Sequence, residues 1–280
     1  MRWQGRAGSG NVEDRRGMGM ALPVGGGIGG LVLLLLISAL TGTNPIDIIN
    51  SGPPPSESVG TGGDSVESDP QAQFISVVLK DTEDIWNQIF RERGADYQEP
   101  VLVLFTNATQ SACGVGQSAM GPFYCPADQK VYLDLSFFHD LDTRFGASGD
   151  FAQAYVVAHE VGHHVQTLTG VSERVNAARS RVSEREANQL SVRQELQADC
   201  YAGVWGHYAA RQGLLDTGDA EEGLRAAAAI GDDRLQRQSQ GRVVPESFTH
   251  GSSKERVSWL RRGLDNGRVE ACDTFGGGSF

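Results

Sequence analysis

The 280-residue chain carries 24 Lys and Arg against 35 Asp and Glu, a formal net charge of -11. That excess of negative charge excludes nucleic acid as the expected partner, because a polyphosphate needs a basic surface. The chain is long enough to bury a full core, and no internal repeat of about 20 to 50 residues is visible in it.

Arg2, Arg6, Arg15 and Arg16 face only Glu13 and Asp14 within residues 1 to 20, and residues 21 to 42, ALPVGGGIGGLVLLLLISALTG, then run 22 positions without a charge. That is enough helix to cross a hydrocarbon core about 30 Å thick. By the positive-inside rule the basic flank is expected as a cytoplasmic tail, with 21–42 as a single transmembrane helix and everything after residue 43 translocated. The expected location is therefore the cell membrane, single-pass, with the domain on the extracytoplasmic side. A cleaved signal peptide is the rival reading, but the stretch is long for one and Ala39-Leu40-Thr41 is an imperfect A-x-A site.

Residues 43–70 are rich in Gly, Pro and Ser, a composition that cannot bury a core, and read as a flexible linker. Residues 71–280 then form one domain. Within it, residues 72 to 93 place Phe74, Val77, Val78, Ile85, Ile89 and Phe90 at helical spacing, and VLVLF at 101 to 105 is a compact strand. After GPFYCPADQ, the alternating run KVYLDLSFF predicts a second strand, whose KVYLDLS part is the expected place for an extended peptide to add by β-augmentation.

Four cysteines beyond a translocating segment favour disulfides over thiols, and none shows C-x-x-C spacing. Cys113 with Cys125 would close a short Gly-rich loop and Cys200 with Cys272 would pin the tail, although four cysteines allow three connectivities.

The chemistry concentrates in FAQAYVVAHEVGHHVQTL, where His159-Glu160-Val161-Gly162-His163 matches H-E-x-x-H. Four helical residues advance about 400° and 6 Å, so the two imidazoles share a face and can grip one Zn²⁺, with Glu160 beside it to act on water. His164 points about 100° away and is a poor ligand candidate. Catalytic zinc takes three protein ligands and keeps its fourth position open. The metzincin continuation fails, since Gln166 and Thr169 stand where Gly and His are required. Glu195 in QELQADCYAGVW is the better third ligand; Asp199, four residues on and on the same helical face, would orient a ligand histidine through its free ring nitrogen. Asp199 itself, His207 and His250 are the competing ligands.

Between these motifs, residues 171–194 alternate in charge, with Val171, Val175 and Val182 loosely at helical spacing, and predict a helical arm that either covers the cleft or serves as a solvated connector. Near the end, His250 in FTHGSSKERVSWL precedes a Ser-Ser cap and a short helix. It is the candidate donor to the oxyanion that hydrolysis generates, with Tyr201 and His207 next in line.

H-E-V-G-H followed by E-L-Q-A-D resembles a gluzincin arrangement. With NVEDRRG, SACG, GPFYCPADQKVYLDLSFF, FAQAYVVAHEVGHHVQ, QELQADCYAGVW and FTHGSSKERVSWL, the chain resembles the putative neutral zinc metallopeptidase family of bacterial membrane-anchored proteins. The resemblance implies an α+β, mainly helical zincin-like metallopeptidase domain with a small β-sheet, zinc on His159, His163 and Glu195, and a peptide or protein substrate. Two other classes compete: a non-catalytic zinc-containing scaffold protein of the cell envelope and a zinc amidase acting on cell-wall material. Glu160 speaks against the scaffold, because a structural site needs ligands but no base.

Overall fold

The computed structural model of the protein describes residues 1–17 and 65–276. The transmembrane helix expected at 21–42 and most of the linker lie outside the described residues. Among the described residues, no helix is long and apolar enough to cross a membrane.

The folded unit joins Met1–Arg16 to Asp64–Phe280. Its main sheet has four strands, β1 (Val12–Asp14), β2 (Val101–Phe105), β5 (Phe123–Cys125) and β6 (Lys130–Asp134), in the order β1-β2-β6-β5. The pairs β1–β2 and β2–β6 are parallel, while β5 runs antiparallel to β6. A separate hairpin, β3 (Ala108–Ser111) and β4 (Gly114–Gln117), is held to β5 by the Cys113–Cys125 disulfide.

Helices dominate the rest. α1 (Pro70–Glu92) begins at Asp69, whose carboxylate accepts from the Gln71 and Ala72 amides, with proline at its first position. It is followed by α2 (Ser136–Thr143), α3 (Asp150–Leu168), α4 (Val171–Arg179), α5 (Glu184–Arg211), α6 (Asp219–Ala229), α7 (Asp232–Gln240) and α8 (Ser253–Asn266). Capping boxes start α5, from Ser183 and Glu186, and α8, from Ser252 and Glu255.

Leu102, Leu104, Val131 and Leu133 turn one face of the sheet into the same core as Val157, Val161 and Trp205. The two zinc-motif helices approach so closely that a Cβ on Gly162 would stand 2.9 Å from the Ala198 carbonyl oxygen. The α5–α8 crossing is tighter still, a Cβ on Gly203 falling 2.2 Å from the Leu260 carbonyl oxygen. The Cys200–Cys272 disulfide ties the chain's end to α5. Both bridges thus follow the pairing expected from spacing.

The structure corrects two sequence expectations. The strand read through Ser136 and beyond stops at Asp134, whose carboxylate accepts from the Asn107 and Ser136 amides at 2.8 and 2.9 Å, and Ser136 opens α2 instead. β6 is also an interior strand, hydrogen-bonded to β2 and β5, so its backbone groups cannot receive a peptide; the free edge on that side belongs to β5. Met1–Arg16 belongs to the same folded unit as the domain. The arm between the motifs is α4, a short link and the start of α5, with Val171 and Val175 buried and Val182 exposed.

Candidate metal centre

His159 and His163 sit one turn apart on α3 with ring centroids 4.8 Å apart, and Glu195 reaches them from α5. His159 Nε2 lies 3.2 Å from Glu195 Oε2 and His163 Nε2 lies 3.4 Å from Glu195 Oε1. One ligand atom from each residue falls within 4.8 Å of the others.

The other ring nitrogens fix what those atoms are. His159 Nδ1 is 2.9 Å from Asp199 Oδ1 and His163 Nδ1 is 2.9 Å from Gln166 Oε1; both partners are acceptors, so each ring keeps a proton on Nδ1 and turns Nε2 inward as the atom available to a metal. A cation held between His159 Nε2 and Glu195 Oε2 would take the place of the proton that the two otherwise share at 3.2 Å. Ligands at about 2.0 to 2.1 Å from a tetrahedral ion stand roughly 3.3 Å apart, and the two nitrogen–oxygen separations fit that edge.

A buried network holds this geometry. Asp199 is fully buried and accepts from Tyr155 Oη at 2.6 Å, from Arg256 Nε at 2.8 Å and from Arg256 Nη2 at 2.9 Å. Burial alone would raise the Asp199 carboxyl, but the Arg256 guanidinium and His159 outweigh it and hold the pKa at about 2. Burial likewise pulls the His159 ring down, whereas Asp199 and Glu195 raise it to about 9, the signature of a pocket that stabilises positive charge. On the other ring, Gln166 donates through Nε2 to the Gln194 carbonyl at 2.7 Å and to Gln197 Oε1 at 3.1 Å, so the amide is locked by α5.

The centre opens into a cleft of about 700 Å³ lined by His159, Glu160, His163, Glu195, His250 and Arg256 among others. Glu160 makes no hydrogen bond or ion pair with any described residue, as a group facing the open cleft should. His250 reaches the same cleft from the loop before α8. Asp232 pins that loop by accepting from the amides of Thr249, His250 and Gly251 at 2.8, 2.7 and 3.0 Å, and it stands 3.3 Å from His250 Nδ1. The hydrogen bond to Asp232 raises the His250 pKa above its ordinary value.

Other candidates fall elsewhere. Tyr201 is buried against Trp86 in the core, and His207 is bonded to the Leu264 carbonyl. His164 is fully buried, placed between the Tyr124 hydroxyl and the Gln98 carbonyl. Sequence reasoning missed Gln166, Arg256, Tyr155 and Asp232. A signal existed for two of them: Gln166 follows His163 by one turn in an apolar helix, and Arg256 shares the buried face of α8 with Leu260 and Gly263.

A family described as putative neutral zinc metallopeptidase matches residues 1–275. The chain belongs to this family. Zinc is therefore its cofactor and hydrolysis its class of chemistry. It is 53% identical over 287 residues to uncharacterized protein YpfJ of Escherichia coli strain K12, covering 99% of each chain. It is also 46% identical over 190 residues to uncharacterized proteins Mb2605 of Mycobacterium bovis and Rv2575 of Mycobacterium tuberculosis, covering 64% of this chain and 63% of theirs. No solved structure matches.

Proposed function

We propose that the protein cleaves peptide bonds with a zinc ion held by His159, His163 and Glu195, Glu160 acting as general base and His250 as oxyanion donor. The observation that carries this reading is the three-residue set with its inward Nε2 and carboxylate atoms at the wall of an open cleft, beside an unpaired Glu160.

Bound there, zinc supplies the Lewis acid that activates water and polarises the scissile carbonyl. Glu160 takes the proton from that water and returns it to the leaving amine. His250, positioned beside Asp232, donates to the oxygen on which negative charge develops. Asp199 and Gln166 keep the ligand rings in the required tautomer. An extended substrate backbone pairs with β5, whose Tyr124 lines the cleft. Ser172 and Asn176, from the arm that follows α3, form part of the cleft wall.

Membrane attachment through residues 21–42 and an extracytoplasmic domain also belong to this proposal. The two disulfides support the exported side, since such bridges persist in oxidising compartments. The deciding experiment is metal content together with cleavage of a generic unfolded protein by the full chain, with and without chelator. Activity that survives chelation, or a metal-free active protein, would end the proposal.

A further inference from the structure

The arm Met1–Arg16 is bound to the domain along its whole length. Trp3 packs edge-on against Phe74, with ring centroids 5.4 Å apart. Gly8 lies so close to α1 that a Cβ there would meet Ser76 Oγ at 2.4 Å. β1 pairs in register with β2, Val12 opposite Leu102 and Asp14 opposite Leu104. The Leu102 amide donates to the Asn11 carbonyl at 2.9 Å, and the Arg15 amide to the Leu104 carbonyl at 2.8 Å.

The polar contacts explain an oddity of α1. Asp81 and Glu83 are 3% and 2% exposed within this helix, and buried carboxylates require partners. The arm supplies them: Arg6 forms a two-pronged pair with Asp81, and Ser9 and Asn11 donate to Glu83 at 2.5 and 2.9 Å. Arg2 pairs with Asp216, and Arg16 pairs with Asp14 and with Asp69, the cap of α1. Arg16 thus ties the end of the arm to the residue that caps α1.

These contacts decide between two readings of the same arginines. As a positive-inside signal they would keep residues 1–20 across a bilayer from the domain. As partners of Asp81, Asp216 and Asp69 they must be beside it. A segment cannot do both, because β1 cannot hydrogen-bond β2 through about 30 Å of hydrocarbon.

We infer that the N-terminal arm Met1–Arg16 and the zinc-binding domain lie on the same side of any membrane. The family match begins at residue 1, so the arm belongs to the sequence the family shares. The inference does not depend on the catalytic reading.

The test uses the full chain in sealed cells and in inverted membrane vesicles. Among the described residues there is no free cysteine, so Ala7→Cys and, on α7, Ser239→Cys each introduce one exposed thiol for a membrane-impermeant maleimide. The expected result is that both positions are labelled from the same face, or that both are found in the same soluble fraction. Labelling of position 7 from the face opposite to position 239 overturns the inference. A second measurement is independent of labelling. Arg6→Glu is expected to lower the melting temperature of the purified full chain by roughly 5 to 15 °C, since it strips a buried carboxylate of its cation. An unchanged melting temperature would mean that the arm is not docked.

Discussion

Gln166 Oε1 stands 2.9 Å from His163 Nδ1, so the second ring of the candidate centre is oriented by a neutral amide while His159 is oriented by the Asp199 carboxylate. A carboxylate makes its ring the more basic ligand, whereas an amide fixes direction without adding charge. The centre is therefore asymmetric, with its electrostatic weight on the Asp199–Arg256 side.

That asymmetry sets an order among ligand-shell variants. Glu195→Ala is expected to abolish tight zinc binding. Asp199→Asn should weaken it by roughly 10 to 100-fold and also lower stability, because Arg256 is left buried without its counter-charge. Gln166→Leu should weaken it less than Asp199→Asn. Metal titration of the three proteins checks the order; a Gln166 variant as weak as Glu195→Ala would refute it.

The proposed mechanism makes Glu160 a base and not a ligand, so the two roles are separable. Glu160→Gln is expected to retain stoichiometric zinc and to lose peptidase activity by several orders of magnitude. Zinc loss in this variant, read by metal analysis, would contradict the assignment.

His250 is expected to act only in the transition state. His250→Ala should lower kcat and kcat/KM together by about 10² to 10³-fold, with zinc content and KM nearly unchanged. Asp232 raises the His250 pKa, so the donor is protonated at low pH and activity should fall as pH rises through that raised value. Loss of the alkaline limb in His250→Ala is the measurement that checks it.

His164 makes stability depend on pH in the opposite sense. Burial lowers its pKa from 6.5 to about 4, although the Gln98 carbonyl opposes the shift. Between these values the unfolded chain binds a proton that the folded chain refuses, so stability falls as pH drops from 6.5 towards 4. The loss amounts to about 3 kcal/mol. Denaturant titrations of wild type and His164→Gln should show that slope diminished in the variant.

Gly162 sets the distance between the two metal helices. A Cβ there would press on the Ala198 carbonyl oxygen at 2.9 Å, so Gly162→Ala should push α5 outward. The expected result is at least a tenfold loss of zinc affinity, because a small misplacement of one ligand suffices. An unchanged affinity would show that the helix pair can adapt.

The local chemistry was legible in the chain. H-E-x-x-H and E-x-x-x-D are each contained in one helix, so the helical period alone fixes which side chains share a face, and His159, His163, Glu195 and Asp199 lie where that period places them. The same holds for the apolar faces of α1 and α3 and for the Ser252 cap of α8. Pairing between distant segments was not legible, because no period links them. Only the folded chain places Arg256 on Asp199 across 57 positions, Asp232 under His250, β5 rather than β6 at the sheet edge, and Arg6 on Asp81. The N-terminal arginines show the physical reason most plainly: a run of positive charge reads alike whether it meets a membrane surface or buried carboxylates, and only the tertiary structure supplies the partner.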